Sequence, residues 1–213
     1  MKYCCVMSET CYVYLTRHGE VANPNHVVYG DLPGFHLSPT GVLQAHRCAE
    51  HLSNKEIDAV ITSPLDRAVQ TATAVARRHG ITPQIDLRLT EARQFPHWTG
   101  HRWDTVAELF RFEFASYLHD ASRAGGHETL DAVALRMGEA IKEQLANGRR
   151  RIVVVGHQDP TQAIRLTLTG GSLADLRREP PAHAEVITLS SRDQQRWSET
   201  SRWAPPSLTA ERS

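Results

Sequence analysis

Residues 11–20 have the sequence CYVYLTRHGE, a short apolar run that ends in an arginine and a histidine. A second stretch, IVVVGH at 152–157, has the same design. In each, a strand-forming segment runs into a turn that carries a histidine, His18 in the first and His157 in the second. An apolar run of this kind suits a parallel strand that is covered on both faces. Since ligands bind beyond the carboxyl ends of parallel strands, we expect both histidines at one edge of a central sheet.

The rest of the chain alternates β-rich runs with helical periods, which predicts an α/β fold. The expected architecture is a three-layer sandwich, in which a mostly parallel central sheet is flanked by helices and a small helical and loop cap covers the site. Strands are predicted at 11–15, 59–61, 84–87, 152–155, 185–189 and 195–200. Helices are predicted at 40–53, 66–80, 102–119, 129–146 and from Pro160 onward.

Length and charge restrict the class of protein. The chain has 213 residues, with 24 basic and 24 acidic side chains and a formal net charge of zero. We expect one domain over residues 1–213, with 204–213 as a loose tail. The balanced charge argues against a nucleic-acid or membrane-surface partner, because both require a cationic excess. No apolar run reaches the length of a bilayer span and residues 1–10 do not resemble a signal peptide, so we expect a cytoplasmic protein.

The cysteines and histidines give no metal-binding pattern. The four cysteines, at positions 4, 5, 11 and 48, form neither a disulfide framework nor a set of zinc ligands, and they fit a reducing compartment. Although 12 histidines are present, no His-Glu-x-x-His motif occurs, so a zinc hydrolase is a weak alternative. We expect neither a metal nor a cofactor.

Two arginines are expected near the two histidines. Arg17 directly precedes His18, and Arg67 follows the strand predicted at 59–61, in the first turn of the next helix. Guanidinium groups beside helix N-termini suit a phosphoryl dianion and the charge on its equatorial oxygens during phosphoryl transfer. A neutral imidazole that donates one ring N–H to the backbone can attack phosphorus through the other nitrogen. A carboxylic acid is then needed to protonate the leaving alkoxide and to activate water.

Four stretches, taken in order, carry a resemblance to a known family. They are Leu15-Thr16-Arg17-His18-Gly19-Glu20, TSPLDRAVQTA at 62–72, Leu89-Thr90-Glu91, and Val155-Gly156-His157. Together with the loop at 30–41 they resemble the histidine phosphatase superfamily, the phosphoglycerate-mutase-like fold, over nearly the whole chain. The span from Glu91 to His157 is short, whereas mutases of that family usually carry a longer insertion there. The resemblance therefore favours the phosphatase branch.

The resemblance implies a role for each matching residue. His18 would be the nucleophile that becomes phosphorylated. Arg17, Arg67 and His157 would hold the phosphoryl group. Glu91 would be the proton donor and then the base. The family implies no metal.

Further phosphate contacts are less well defined by the sequence. The family often has an asparagine seven residues after the arginine of its motif, where this chain has Pro24 between Asn23 and Asn25. Asn23 is the candidate for that contact. The backbone N–H of Gln158 is a second candidate, since the turn after the second histidine often supplies a donor.

The segment after Glu91, ARQFPHW at 92–98, replaces a glycine-rich stretch of the family and leaves the substrate open. The polar and aromatic side chains here could hold a second anionic group of the substrate, or they could be solvated; they are Arg93, His97, Trp98, His101 and Arg102. Tyr29 and His36 lie in a loop that commonly borders the site. Near the fourth predicted helix, Glu128 is a candidate site residue and Thr129 a helix N-cap. Four other histidines are expected to be solvated, namely His46, His51, His79 and His183.

These observations predict a metal-independent phosphomonoesterase, a histidine acid-type phosphatase that acts on a small phosphorylated metabolite through a phosphohistidine. A phosphoglycerate mutase and a catalytically silent binding module of the same fold are the alternatives. The oligomeric state stays open, with a homodimer as one option.

Overall fold

A computed structural model describes residues 9–123 and 126–207. Its strands are β1 (Cys11–Arg17), β2 (Ala59–Thr62), β3 (Gln84–Ile85), β4 (Arg151–Gly156), β5 (Val186–Ser191) and β6 (Ser198–Trp203). They form one sheet in the order β3-β2-β4-β1-β5-β6. The first four in this order are parallel to one another, whereas β5 is antiparallel to both β1 and β6. The predicted α/β fold with a mostly parallel sheet is confirmed.

The two strands that precede the histidines are neighbours at the centre of the sheet. Arg17, at the end of β1, lies opposite Gly156, at the end of β4. Residues 152–155 of β4 are all buried, as expected for a strand covered on both faces. The carboxyl ends of both strands therefore reach the same edge of the sheet.

Helices cover both faces of the sheet. The helices of the described residues are α1 (Pro39–Leu52), α2 (Asp66–Arg78), α3 (Trp103–Leu109), α4 (Arg111–His119), α5 (Leu130–Ala146) and α6 (Gln158–Thr169), of which α3 and α4 belong to the cap. One apolar cluster joins α1 and α2 to one face, through side chains such as Leu52 and Val75. Another joins α5 and α6 to the opposite face, through side chains such as Ile141 and Ile164. The three predicted layers are therefore present.

The cap differs from the sequence prediction. The single helix predicted at 102–119 is two helices, because the backbone leaves the helical region at Phe110, where φ is −117° and ψ is 35°. The Phe95 and Trp98 rings stack at a centroid distance of 4.1 Å, and the Tyr117 ring lies edge-on to both at 5.7 Å. This aromatic packing orients α4, and it involves residues outside the local sequence. Leu118, predicted in the buried stripe, is 48% exposed.

Several boundaries shift by a few residues. Helix α6 begins at Gln158 rather than Pro160, with His157 at its N-cap position. The strand predicted at 84–87 ends at Ile85, and a 3₁₀ turn follows at Leu87–Leu89. Strands β5 and β6 begin one and three residues later than predicted. The predicted N-cap at Thr129 is confirmed, since its side chain accepts a hydrogen bond from the Ala132 N–H at 3.2 Å.

Some sequence predictions fall outside the described residues. These are the first eight residues with Cys4 and Cys5, Gly125, and positions 208–213 of the predicted tail. Positions 204–207 have no regular secondary structure. Across 9–123 and 126–207, no helix combines the length and the apolar character that crossing a bilayer requires. One domain over 1–213 stays a prediction.

Candidate active site

Loops at the carboxyl edge of the sheet bring the predicted site residues together. His18 follows β1 directly and His157 follows β4, and their ring centroids are 5.2 Å apart. Both rings are almost completely buried. Arg67 lies in the first turn of α2, which follows β2, and its side chain is also fully buried. Glu91 comes from the loop after the 3₁₀ turn at Leu87–Leu89, with its Oε2 3.8 Å from Nδ1 of His157.

One ring nitrogen of His18 is fixed by the backbone. Nδ1 lies 2.7 Å from the carbonyl oxygen of Gly19. Because a carbonyl can only accept, Nδ1 carries the proton of the neutral ring and Nε2 keeps its lone pair. Burial, followed by the charges of Arg67 and Arg17, holds the pKa of His18 well below its usual value. His18 is therefore a neutral imidazole near pH 7, which is the form that can act as a nucleophile.

Gly19 allows the tight turn beside His18. A Cβ at this position would lie 2.5 Å from the carbonyl oxygen of Gly41 at the start of α1. Any larger residue would therefore push α1 away from the turn. Glu20, the next residue, accepts a hydrogen bond from the Ser38 hydroxyl at 2.6 Å, which ties the same turn to the N-cap of α1.

The two arginines present donors that the protein itself does not satisfy. Arg67 donates from Nη2 to the Gly30 carbonyl oxygen at 2.6 Å, and its guanidinium carbon lies 4.7 Å from the centroid of the Tyr29 ring. Arg17 donates from Nη1 to Oε1 of Gln158 at 2.8 Å. Nε of Arg17 and both Nε and Nη1 of Arg67 are buried without a hydrogen-bond partner in the described part of the chain.

His157 presents a similar unsatisfied atom. Its Nε2 lies 2.7 Å from Oγ of Ser63. That oxygen accepts from the Leu65 N–H at 3.3 Å, which leaves the hydroxyl proton available for Nε2 of His157. This arrangement favours the tautomer with the proton on Nδ1, an atom without a hydrogen-bond partner among the described residues. Burial, with the charge of Arg67 second, holds the pKa of His157 well below its usual value.

Glu91 is suited to exchange a proton near neutral pH. Burial, and secondly the charge of Asp159, raises the pKa of Glu91 to about 7, although Arg67 acts in the opposite direction. Its Oε1 accepts from the Ala92 N–H at 2.9 Å. A carboxyl group with this pKa can donate a proton in one step and accept one in the next.

Arg136, on α5, supports the loop that carries Glu91. It donates to the carbonyl oxygens of Arg88, Thr90 and Glu91 at 2.6, 2.8 and 3.2 Å. Its Nε also donates to Oε1 of Glu128 at 2.7 Å. Glu128, a candidate site residue in the sequence, thus binds an arginine behind the site. No sequence motif points to Arg136; the signal that could have found it is a charged residue among the apolar positions of α5.

Asn23 makes its side-chain hydrogen bonds within its own loop. Its Oδ1 accepts from the Val27 N–H at 3.1 Å and its Nδ2 donates to the Val27 carbonyl at 2.8 Å. Both ends of the amide therefore close the loop in which Asn23 lies, and the proposed phosphate contact is not supported. Gln158 is at the N-terminus of α6, where backbone N–H groups have no partner within the helix. Its role as a donor stays a prediction.

His183 lies at the site, so the prediction that it is a solvated histidine is wrong. Its ring centroid is 5.9 Å from that of His18, and the two rings are tilted by 40°. Burial, with the charge of Arg17 second, lowers the pKa of His183 to about 4. It precedes β5, which pairs with β1, and this long-range pairing brings it beside His18. His51 stacks on the ring of Trp203 at 4.2 Å and is not solvated on that face.

The polar and aromatic side chains after Glu91 contact residues of the cap and of neighbouring loops. Three members each contact a carboxylate: Arg93 with Asp31 at 2.7 Å, His97 with Glu113 at 2.7 Å, and Arg102 with Asp104 at 3.0 Å. Trp98 donates from Nε1 to Glu113 at 2.8 Å, and the ring of His101 lies edge-on to that of Phe110 at 5.7 Å. These contacts weaken the case for this cluster as a second anion site. His36, in the loop before α1, is exposed and lies 4.0 Å from Asp66.

A cavity of about 500 Å³ extends from the site toward the cap. Arg17, Glu91 and Gln158 line one part of it, and Tyr29 lines a side wall. The arrangement as a whole offers a neutral nucleophile, several buried cationic or N–H donors and one carboxyl group able to exchange a proton. This is the chemistry that transfer of a tetrahedral dianion requires.

The sequence profile of the histidine phosphatase superfamily (branch 1) matches residues 13–203. The chain belongs to the histidine phosphatase superfamily. The resemblance that the four sequence motifs indicated is therefore confirmed.

Members of the histidine phosphatase superfamily with known sequences or structures are similar over most of the chain. The protein Rv0525 of Mycobacterium tuberculosis (strain ATCC 25618 / H37Rv) is 38% identical over 186 residues, which is 86% of this chain and 91% of that protein. Phosphoserine phosphatase 1 of Hydrogenobacter thermophilus is 27% identical over 163 residues, 75% of this chain and 77% of the relative. A structure of mycobacterial glucosyl-3-phosphoglycerate phosphatase Rv2419c in complex with VO3 has a TM-score of 0.81 and 25% identity, covering 92% of this chain and 100% of that chain.

Proposed function

We propose that this member of the histidine phosphatase superfamily is a metal-independent phosphomonoesterase, a histidine acid-type phosphatase that acts on a small phosphorylated metabolite. The observation that carries the proposal is the set of buried, unpartnered donors on Arg17, Arg67 and His157 beside a neutral His18. A buried donor without a partner costs free energy, and the cost is greater for a charged group. A phosphoryl dianion satisfies these donors at once, which accounts for their arrangement.

In the first half of the reaction, Nε2 of His18 attacks phosphorus. The bond from phosphorus to the alcohol oxygen breaks as the nitrogen–phosphorus bond forms. Protonated Glu91 gives its proton to the leaving oxygen, so that the alcohol departs neutral. Arg17, Arg67 and His157 stabilise the charge on the equatorial oxygens, because their donors are already oriented before the reaction.

In the second half, the carboxylate of Glu91 accepts a proton from water as that water attacks the phosphohistidine. The nitrogen–phosphorus bond breaks, inorganic phosphate leaves, and His18 returns to its neutral form. Glu91 is protonated again and ready for the next substrate. The pKa of about 7 for Glu91 supports both roles, since neither protonation state is strongly disfavoured at neutral pH.

Two named relatives support hydrolysis as the reaction, a phosphoserine phosphatase and a glucosyl-3-phosphoglycerate phosphatase. The short span from Glu91 to His157 leaves the site open to water, which favours hydrolysis over transfer back to the substrate. All five residues of the proposed machinery are present, which argues against a silent binding module.

The test is hydrolysis of p-nitrophenyl phosphate in excess chelator, with the enzyme also quenched at alkaline pH for mass spectrometry. We expect turnover that the chelator does not change and one phosphoryl group on His18. His18→Asn should abolish both, whereas His36→Asn, a change at an exposed histidine, should leave both intact. Faster interconversion of 3- and 2-phosphoglycerate than hydrolysis would replace the proposal with a mutase. Binding of phosphate without any turnover would indicate a silent module.

A further inference from the structure

The cavity beside the site indicates the class of alcohol that the enzyme releases. Resting on the proposed function, we infer that the preferred substrate is the phosphomonoester of an alcohol with an uncharged, apolar or aromatic body. Small phosphates that carry a carboxylate on the alcohol are then poor substrates. This names a substrate class for the site without changing its chemistry.

The cavity is large, and its wall on the cap side is apolar. Its volume of about 500 Å³ exceeds what a phosphoryl group alone fills, so most of it is available to the alcohol. Beyond Arg17 and Glu91, the cap contributes a wall of apolar and aromatic side chains: Phe95, Trp98, Trp103, Phe114, Tyr117 and Leu118. A wall of this composition gains free energy by covering apolar surface and offers little to a charged group.

Two members of this wall are unusually exposed for their size. Trp103 is 46% exposed and Leu118 is 48% exposed, although both line the cavity. A concave surface with large exposed apolar side chains is typical of a binding site. An apolar alcohol would remove both side chains from water.

Charged side chains that line the cavity already make contacts with one another or with Tyr117. Arg93 is paired with Asp31 at 2.7 Å. Arg177 donates to the Tyr117 hydroxyl at 3.0 Å and lies 5.0 Å from the centroid of that ring. The same hydroxyl donates to Asp159 at 2.8 Å.

A carboxylate on the alcohol would therefore meet acidic neighbours in the cavity. Asp31 and Asp159 both line it, whereas Glu91, which also lines it, is the protonated acid when the substrate binds. The two cationic side chains of the lining other than Arg17 already contact an acidic or phenolic group. Arg93 is neutralised by Asp31 and Arg177 is engaged by the Tyr117 hydroxyl, so a second anion gains little here, whereas an uncharged body is not affected.

The first experiment compares benzyl phosphate with phosphoglycolate. Both are phosphates of a primary alcohol, and they differ in having a phenyl group or a carboxylate on the same carbon. The chemical step is thereby matched and the difference reports the cavity. We expect kcat/KM to be higher for benzyl phosphate by about tenfold or more. An equal or higher value for phosphoglycolate would overturn the inference.

The second experiment locates the preference in the cap. Trp103→Ala should lower kcat/KM for benzyl phosphate by about tenfold, mostly through KM, and leave the inhibition constant of vanadate unchanged, because vanadate probes only the phosphoryl site. Phe112→Ala is the matched control: Phe112 is an aromatic of the same cap, 78% exposed, and does not line this cavity. It should behave as the wild type. Equal effects of the two substitutions would overturn the inference.

The outcomes also separate this inference from the proposed function. Hydrolysis of p-nitrophenyl phosphate through His18, together with a preference for phosphoglycolate, would overturn only the substrate class. In that case Arg177→Met should reduce the preference, which would identify Arg177 as the ligand of the carboxylate. If no phosphomonoester is hydrolysed and His18 is never phosphorylated, the proposed function fails and the inference fails with it.

Discussion

Oε2 of Glu91 lies 3.8 Å from Nδ1 of His157, yet the two groups do not form an ion pair near neutral pH. Burial raises the pKa of Glu91 to about 7 and holds that of His157 well below its usual value, so each shift favours the uncharged form. The contact is therefore one in which a carboxylic acid and a neutral imidazole coexist. It keeps a transferable proton close to the position where the leaving oxygen would develop charge.

The pH dependence of the first half-reaction should follow the protonation of Glu91. The acid form is required for alkyl phosphates, and this form is lost as the pH rises through about 7. We expect kcat/KM to fall above that pH. Asp159→Asn removes a negative charge that raises the pKa of Glu91, so the fall should begin at lower pH. Asp131→Asn, an exposed change on α5, is the control, and an unshifted profile in Asp159→Asn would contradict the coupling.

The nature of the leaving group should reveal Glu91 as the acid. Glu91→Gln cannot donate the proton, so alkyl phosphates should lose about 10²–10⁴ in kcat/KM. p-Nitrophenolate leaves without protonation, and its phosphate should lose much less. Steady-state kinetics on both substrates checks this difference. Equal losses on the two would show that Glu91 acts in another way.

Binding of phosphate to the buried Arg67 should stabilise the folded protein. Inorganic phosphate at 100 times its Kd should add about 2.7 kcal/mol to the free energy of unfolding. For a chain of this size that raises Tm by roughly 5–11 °C. Arg67→Met removes the fully buried guanidinium and its two unpartnered nitrogens. The phosphate-induced rise in Tm should then largely disappear.

The ligand-free Arg67→Met variant offers a second readout. Burying a charged group is costly, and burial is the main influence that lowers the pKa of Arg67. We therefore expect its Tm without phosphate to be no lower than that of the wild type, even though the bond from Arg67 to Gly30 is lost. Thermal unfolding with and without phosphate measures both quantities. A large loss of stability in the free protein would assign Arg67 a structural role.

The sequence predicted those parts of the molecule that depend on local pattern and on the order of elements. The apolar strands before His18 and His157 and the helix start at Arg67 were sufficient to place three site residues at one sheet edge. The break at Phe110 was not predictable, because no helix-breaking residue marks it, and the rings of Phe95 and Trp98 that pack on Tyr117 of α4 come from a separate segment.

Two other residues, Asn23 and His183, make contacts that the sequence pattern does not show. Asn23 was assigned by its spacing from the motif, but its amide is used by the backbone of Val27 four residues away. His183 was expected to be solvated, but the pairing of β5 with β1 brings it near His18. A long-range strand pairing decides the position of His183, whereas a local pair of hydrogen bonds occupies the amide of Asn23.

Arg136 provides the last prediction, because its contacts bear on the position of Glu91 rather than on the phosphoryl group. Its guanidinium donates hydrogen bonds to three carbonyl oxygens in and just before the Glu91 loop, those of Arg88, Thr90 and Glu91. Arg136→Met leaves these carbonyls without their donor, and we expect kcat for alkyl phosphates to fall by about 10- to 100-fold as the acid loses its alignment.

A positioning role for Arg136 is distinguished from a general structural role by activity on aryl phosphates and by inhibition by vanadate. Arg136→Met should affect aryl phosphates much less than alkyl phosphates and should leave the inhibition constant of vanadate unchanged, because the phosphoryl donors are on other elements. Arg136→Lys keeps one cationic donor near the carbonyls but cannot match the planar guanidinium, so it should recover part of the alkyl activity. Parallel losses on both substrate classes, together with weaker vanadate inhibition, would mean that Arg136 supports the fold as a whole and not the alignment of Glu91.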